Sequence, residues 1–307
     1  MKNIDLVIKK ITNEIAEIVN RSNTNGVVVG LSGGVDSSTV AALCKKSSVK
    51  VYGIILPCDT TEDEISRARE VAKIFVDHCQ EIDIKPAFEF FYKQFRKDTT
   101  KIEIPDGNTK ARLRMVALYY MANINNLLVA GTGNKDEDMI GYFTKYGDGA
   151  ADFFPISDLH KSEVYEIAKY LGVPESVIKA KPTAGLWVGQ TDEEELGMTY
   201  SQIEWAIKLM RGYNPSDVLE IIDKGKNVEI DFTELISGLK RTTTDQKLID
   251  DLVKAIKLRF DLLVEKIINL DSQQRELLIK IINRIIRNSH KIQYPPIIAV
   301  RDIIEKE

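Results

Sequence analysis

Gly26-Val27-Val28-Val29-Gly30-Leu31-Ser32-Gly33-Gly34-Val35-Asp36-Ser37-Ser38 is the stretch that decides the fold. Its first half is a short β-branched apolar run that reads as a strand, and its second half turns through two glycines into the start of a helix. A turn of this kind aims backbone N–H groups and a helix N-terminus at an anion. Gly33 and Gly34 allow close approach, Ser32, Ser37 and Ser38 add hydroxyl donors, and Asp36 supplies a hard oxygen for a Mg²⁺ that bridges phosphates. The segment reads as a pyrophosphate grip. It is not a Walker A loop, because no Gly-Lys-Ser/Thr follows at the required spacing and no lysine in the loop could reach a γ-phosphate. Gly30-Leu31-Ser32-Gly33-Gly34 also satisfies the G-x-S-x-G elbow of serine hydrolases. An elbow follows several earlier strands, whereas only a helix precedes this one, and His290 is the late histidine left for a Ser-Asp-His order. An ordinary helix cap would need one hydroxyl or carboxylate here rather than four such groups.

On the N-terminal side, Ile4, Val7, Ile8, Ile11, Ile15 and Ile18 recur at helical spacing and predict an amphipathic helix. On the C-terminal side the pattern alternates: a helix from near Asp36, a strand over 51–56, a helix over 62–76 and a short strand over 81–84. A helix over 110–123 and a buried strand over 127–130 follow, the strand feeding the loop Gly131-Thr132-Gly133-Asn134. Alternation of this kind predicts an α/β fold with a doubly wound parallel sheet, whose ligands sit at the carboxyl ends of its strands, where both loops fall. A Gly-rich, aromatic stretch over 141–155 has no period and reads as a long functional loop. After a helix over 161–171 and a second irregular segment over 181–192 the chain is largely helical. The expected organisation is a main domain over 1–212 and a helical C-terminal extension over 213–307, packed on the same domain, with the helices over 200–287 as an alternative semi-separate lobe.

The composition of the 307 residues fits that picture: 44% are hydrophobic, enough to bury a large core without staples. A net charge of −4 provides no broad cationic field for nucleic acid and favours small-molecule chemistry. Cys44, Cys58 and Cys79 are widely spaced and lack C-x-x-C, so they predict buried reduced thiols rather than a disulfide framework or zinc site. The first twenty residues mix charges among the apolar positions and no later run approaches membrane-spanning length, so a cytoplasmic protein is expected.

Ser32-Gly33-Gly34-Val35-Asp36-Ser37-Ser38 resembles the signature of ATP pyrophosphatases of the adenine-nucleotide α-hydrolase fold, which split ATP into AMP and pyrophosphate while adenylating an acceptor. Further strings resemble the ammonia-dependent NAD synthetases among them. Gly107-Asn108-Thr109-Lys110-Ala111-Arg112-Leu113-Arg114-Met115 is similar to their G-N-x-x-A-R-x-R-M, which implies that Arg112 contacts deamido-NAD. A guanidinium fork suits phosphate or carboxylate oxygens, and Lys110 taken alone reads as part of a solvated helix face. Gly131-Thr132-Gly133-Asn134-Lys135-Asp136-Glu137 fails the dinucleotide fingerprint at Asp136 and resembles G-T-x-N-x-x-E instead, which places Thr132 on ATP and Glu137 on magnesium. Asp36 and Glu137, at neighbouring strand ends, would then share one ion.

The stretch from Gly141 to Asp152 resembles G-x-x-T-K-x-G-D-G-x-x-D and implies Lys145 and Asp152 as deamido-NAD contacts. Asp158-Leu159-His160-Lys161-Ser162-Glu163-Val164 resembles D-L-x-K-x-x-V, carrying an ATP contact onto Lys161 and leaving His160 as a helix-start residue. Residues 182–197 resemble the family's second phosphate loop, with Thr183 on ATP, and His290-Lys291 resembles its C-terminal substrate element. The first loop, from Gly30, Leu31, Ser32, Gly33 and Gly34 to Val35, Asp36 and Ser37, completes the implied ATP site.

The resemblance implies amidation of deamido-NAD with ammonia through a nicotinyl adenylate, with Asp36, Glu137 and Lys161 stabilising charge, Mg²⁺ as the metal and a homodimer as the assembly. No G-x-C-x-G elbow supplies a glutaminase nucleophile, so free ammonia is the expected donor. A tRNA-modifying pyrophosphatase would show a basic groove or an added RNA-binding module, and a nucleotide sensor would bind ATP without producing AMP. The segment 214–288 is longer than in the family, and Leu248, Leu252, Ile256, Leu263, Ile267, Leu277, Ile281 and Ile285 predict amphipathic helices there.

Overall fold

Val27, Val28 and Val29 are wholly buried, the condition under which a continuous β-branched run becomes a central strand. In the computed structural model, which describes residues 1, 3–95, 102–187, 189–225 and 246–291, this run is β1 (Val27–Gly30). It pairs in parallel with β2 (Val51–Ile55) on one side and β4 (Leu128–Val129) on the other. β2 pairs in turn with a parallel β3 (His78–Glu81), giving the order β3-β2-β1-β4.

Successive side chains of β1 enter opposite layers, as the strand period requires. Val27, Val29, Val51 and Ile55 share a core with α1 (Ile4–Ser22), α2 (Val35–Lys46), α3 (Glu62–Phe75) and α7 (Lys161–Tyr170). Val28 and Ile54 join Met121 and Ala122 of α5 (Glu103–Asn125) and Phe154 on the other face. Both faces are therefore covered, and the architecture is the doubly wound α/β sheet. α1 buries Val7, Ile8, Ile11 and Ile15 and stops where Asn23 adopts the left-handed conformation, its N–H returning to the last turn. At the start of α3, Thr61 and Glu64 form a reciprocal capping box.

Two boundaries differ from the sequence reading, each for an identifiable reason. β3 lies at 78–81 rather than 81–84, because as an edge strand it exposes all four side chains, while the apolar Ile84 beyond it is buried beneath the sheet. α5 starts at Glu103, seven residues before the predicted Lys110. Pro105 falls in its first turn, where a missing N–H costs no helical bond. Gly107 is tolerated inside the helix because a Cβ there would meet Leu186 at 3.1 Å and Trp187 at 3.5 Å.

The chain divides into two compact units, one over Met1–Glu204 that the chain rejoins at Lys291, the other over Trp205–His290. The second contains helices at Pro215–Lys224, Gln246–Ile268 and Ser272–Asn288, and buries Val218, Ile221, Leu263, Ile267, Leu278, Ile281 and Ile285. Leu252, expected on the apolar face, is exposed, Ile256 and Leu277 are half-buried, and the side chain of Leu248 lies outside the described residues. Among the described residues no helix is long and apolar enough to cross a membrane. All three cysteines are free; Cys44 and Cys58 are buried as expected, but Cys79 is exposed on β3.

Candidate active site

The sheet grows from β1 through β2 to β3 on one side and places β4 on the other, so chain order reverses between β1 and β4. A crevice opens at the carboxyl ends of strands at such a switch point. The β1–α2 loop and the loop from β4 to α6 (Lys135–Ile140) both enter it. Gly33 takes φ +80°, and a Cβ on it would lie 2.3 Å from the Glu64 carbonyl oxygen, so α3 packs directly on the first loop. Arg67 Nε fixes the same turn by donating to the Gly33 carbonyl at 3.1 Å. Ser32 Oγ lies 3.1 Å from Ser37 Oγ and accepts the Gly34 N–H at 3.2 Å. Ser38 is fully buried and its hydroxyl caps the Gly34 carbonyl at 2.7 Å, which removes it from the donors expected to face a phosphate.

Asn134 joins the two loops. Its side-chain oxygen accepts the N–H groups of Asp136 and Glu137, capping α6, while its amide donates to Asp36 Oδ1 at 3.1 Å. Glu137 completes the capping box by accepting the Asn134 N–H, which turns its other oxygen toward Lys161. Lys161, the first residue of α7, is 3% exposed, and its Nζ lies 2.6 Å from Asp36 Oδ2 and 3.1 Å from Glu137 Oε1. The ammonium also lies 4.6 Å from the centre of the Tyr200 ring. The Tyr200 hydroxyl oxygen lies 3.0 Å from Glu137 Oε1 and 2.8 Å from Asp192 Oδ2, within hydrogen-bond reach of both acids.

This cluster holds three carboxylates around one lysine. Burial, against the opposing effect of Lys161 and with added repulsion from Asp36 and Asp192, pushes the Glu137 carboxyl up to about 8. Burial raises Asp192 as well. For Lys161 burial acts downward, but the attraction of Asp36, Glu137 and Asp192 exceeds it and holds the ammonium above its ordinary range. One cation is thus accommodated between Asp36 and Glu137, and the donors that meet it are hard oxygens. Two carboxylates are what a Mg²⁺ needs from protein when phosphates and water complete its shell.

The expected acceptor residues gather around the 141–152 loop. Arg112 Nε donates to the Lys145 carbonyl at 3.2 Å, and Asn108 on the same helix accepts the Thr144 hydroxyl at 2.6 Å. Lys291 Nζ donates to the carbonyls of Gly141 (2.9 Å) and Phe143 (3.1 Å). Asp152 turns inward, accepting the Val129 N–H at 2.7 Å and the Tyr119 hydroxyl at 3.3 Å, so its carboxylate also pins this loop to β4. The side chain of His290 lies outside the described residues.

Thr132 lies half-buried on the β4–α6 loop, and Thr183 accepts the Gly185 N–H at 3.1 Å within the second irregular segment. That segment is braced by Gln190, which accepts the Leu186 N–H and donates to Glu195, and Glu195 accepts the Tyr142 hydroxyl at 2.8 Å. Lys110 corrects the sequence reading of a solvated residue. It is 5% exposed, with Nζ 2.8 Å from Asp59 Oδ2, 3.0 Å from the Leu186 carbonyl and 5.1 Å from the Phe88 ring centre. The turn into α5 that hides it begins seven residues earlier than the pattern suggested.

Sequence reasoning gave no role to Asn134, Asp192 or Tyr200. Asn134 carried a usable signal, since an Asn followed three residues later by Glu is a capping box. Tyr200 and Asp192 carried none, because their approach to Glu137 depends on how the second segment folds back.

Comparison with known proteins adds an independent line. The profile of the NAD synthase family matches residues 7–244. An NH(3)-dependent NAD(+) synthetase of Archaeoglobus fulgidus is 46% identical over 212 residues, covering 68% of this chain and 85% of that protein. Among solved structures, the NH3-dependent NAD synthetase of Campylobacter jejuni matches with TM-score 0.63 and 27% identity over 96% of this chain and 99% of the other. The NMN synthetase of Francisella tularensis matches with TM-score 0.64 and 37% identity over 68% of this chain and 87% of its own.

Proposed function

The chain belongs to the NAD synthase family, and on that premise we propose that it makes NAD by amidating deamido-NAD with ammonia at the expense of ATP. The observation that carries this reading is the sharing of Lys161 by Asp36 and Glu137 at the switch point, below a loop shaped to receive pyrophosphate. In the proposed reaction the nicotinate carboxylate attacks the α-phosphorus of ATP, pyrophosphate leaves, ammonia attacks the nicotinyl adenylate, and AMP is released.

Residues 30–37, with Thr132 and Thr183, hold the nucleotide, and the loop N–H groups meet the departing pyrophosphate. Lys161 offsets charge that grows on the phosphate oxygens. Asp36 and Glu137 would hold Mg²⁺, which supplies charge neutralisation on the phosphates when bound. Arg112, Lys145, Asp152, His290 and Lys291 would take deamido-NAD. Arg112, Lys145 and Lys291 offer donors to its phosphates, and the inward Asp152 sets the loop that presents Lys145. The ATP-pyrophosphatase machinery is assigned to the domain 1–212, and 213–307 to a helical extension whose C-terminal part brings His290 and Lys291 to the substrate.

A homodimer is supported by an apolar stripe on α5, where Val116, Tyr120 and Ile124, each four residues apart, are 57%, 65% and 59% exposed. Phe90, Phe91 and Phe95 of α4 (Lys85–Phe95) are exposed as well. A reducing cytoplasm suits the three free thiols.

The test is to supply protein, ATP, Mg²⁺, ammonium and deamido-NAD and to quantify NAD, AMP and pyrophosphate. Equal amounts of all three are expected, and AMP without NAD would overturn the reading. The likeness to the Francisella NMN synthetase favours one alternative, amidation of nicotinate mononucleotide. The same assay with that mononucleotide distinguishes the two acceptors by kcat/KM.

A further inference from the structure

Lys161 and Glu137 are each preceded in sequence by a buried residue that the reaction described above does not use. We propose that these residues, His160 and Asp136, form a clamp between two helix starts that positions Lys161 against Glu137. The inference rests on the reading of Lys161 and Glu137 as the charge-stabilising pair. Asp136 is 0% exposed and His160 2%. Asp136 Oδ1 lies 2.6 Å from His160 Nδ1, and its Oδ2 accepts the Lys161 backbone N–H at 2.8 Å. A buried carboxylate is tolerated only with donors on its oxygens, and these two donors both come from the start of α7.

The carboxylate thus springs from the first turn of α6 but serves the first turn of α7, whose leading N–H groups have no partner within their own helix. Its own backbone is held in turn, because the Asp136 N–H donates to Asn134 Oδ1 at 3.0 Å. His160 is held at the other end, its N–H donating to Glu163 Oε2 at 2.7 Å. The Lys135 N–H donates to the Leu159 carbonyl at 2.9 Å, a second tie between the same two chain segments.

Residues 136 and 137 are neighbours in the chain, as are 160 and 161. Fixing Asp136 to His160 and to the Lys161 N–H therefore fixes the backbone from which both the Glu137 carboxylate and the Lys161 ammonium extend. Lysine has a long flexible stem with large rotamer freedom, so its aim depends on where the stem is rooted. A displacement of about 1 Å in such a group can cost a factor of about 10² in rate. Neither clamp residue needs to touch substrate, and both act as positioning residues.

The experiment compares His160→Ala, His160→Asn and Asp136→Asn with Lys161→Met as the control. It measures kcat and KM for ATP and deamido-NAD, together with deamido-NAD-dependent exchange of pyrophosphate into ATP. The asparagine amide at 160 can replace the ring N–H toward Asp136. His160→Ala is expected to lower kcat and exchange about 10- to 100-fold with both KM values within about threefold, and His160→Asn to recover most of the loss. A kcat within about threefold of the parent in His160→Ala overturns the clamp, as does an equal loss in the alanine and asparagine variants. If His160→Ala does not fold, Asp136→Asn decides: a loss of about tenfold in kcat at unchanged KM supports the clamp, and a parental rate overturns it. Loss of activity in Lys161→Met alone means that the clamp fails while the site reading stands. Parental activity in Lys161→Met means that the site reading itself fails.

Discussion

Lys161 Nζ stands 2.6 Å from Asp36 Oδ2, joining the first residue of α7 to the first turn of α2 across a gap of 125 residues in sequence. The same ammonium reaches Glu137 at 3.1 Å, so one buried cation stands between these two acids. Lys161→Met is expected to lower kcat for NAD formation by about 10²- to 10³-fold, the range found when one transition-state donor is removed from a preorganised site. It should also destabilise the protein by about 3–5 kcal/mol, because carboxylates are left together in a buried place without their cation. Steady-state assay and urea denaturation of the same variant check the two effects separately.

Gly33→Ala tests the first loop through its backbone. The native φ of +80° is strained for alanine, and its methyl carbon would lie 2.3 Å from the Glu64 carbonyl oxygen, a main-chain atom that cannot swing aside. A loss of roughly 1–3 kcal/mol is expected, together with a marked fall in ATP affinity as the loop shifts off α3. Calorimetric titration with ATP reads the second effect. Unaltered affinity would show that this turn does not shape the nucleotide site.

The parts of this architecture that follow local rules were legible in advance. Val27–Val29, the two glycines after them and the periodic apolar face of α1 specify their own environment, and these elements, like the extent of α3, were read within a residue or two. Lys110 was misread because a single residue's burial depends on what packs over it, here Leu186 and Asp59, 76 and 51 positions away. The early start of α5 was hidden by Pro105 and Gly107, which break a helix pattern but are harmless in a first turn and under a close-packed loop. The family resemblance implied a common site for Asp36, Glu137 and Lys161, whereas the amide of Asn134 joined them only with the fold. The participation of Tyr200 came only with the fold.

The α5 stripe makes an oligomerisation prediction. Ile124→Glu places a charge on an exposed position, so the monomer should fold with a stability change within about 0.5 kcal/mol. In a dimer that covers the stripe, the same charge would be desolvated without a partner and would weaken association by about 2 kcal/mol or more. Sedimentation velocity across a concentration series should show the parent as a dimer and the variant shifted toward monomer. A monomeric parent would remove the basis for the proposed assembly.

Asp59 provides a pH test of the bracing around the second loop. Its hydrogen bond to Lys110, opposed by burial and helped by Lys85, holds the carboxyl down at about 2. An acid with a folded value below its unfolded one binds fewer protons when native, so stability rises with pH through this window. The contribution is complete above the unfolded value of 3.8 and is lost as pH falls through about 2. The carboxylate keeps 19% of its surface in solvent, so full linkage is discounted for screening to roughly 1–2 kcal/mol. Asp59→Asn is a clean probe because Asp59 has φ +55°, a left-handed conformation that asparagine accepts. The variant should be less stable than the parent at pH 7 in urea denaturation, with the difference shrinking steadily from pH 4 toward pH 2. Lys85→Ala should matter far less, since that lysine is half exposed whereas Lys110 is buried beneath the second loop. A stability gap that does not depend on pH would mean that asparagine disrupts the turn itself, and the ion pair would no longer account for the bracing.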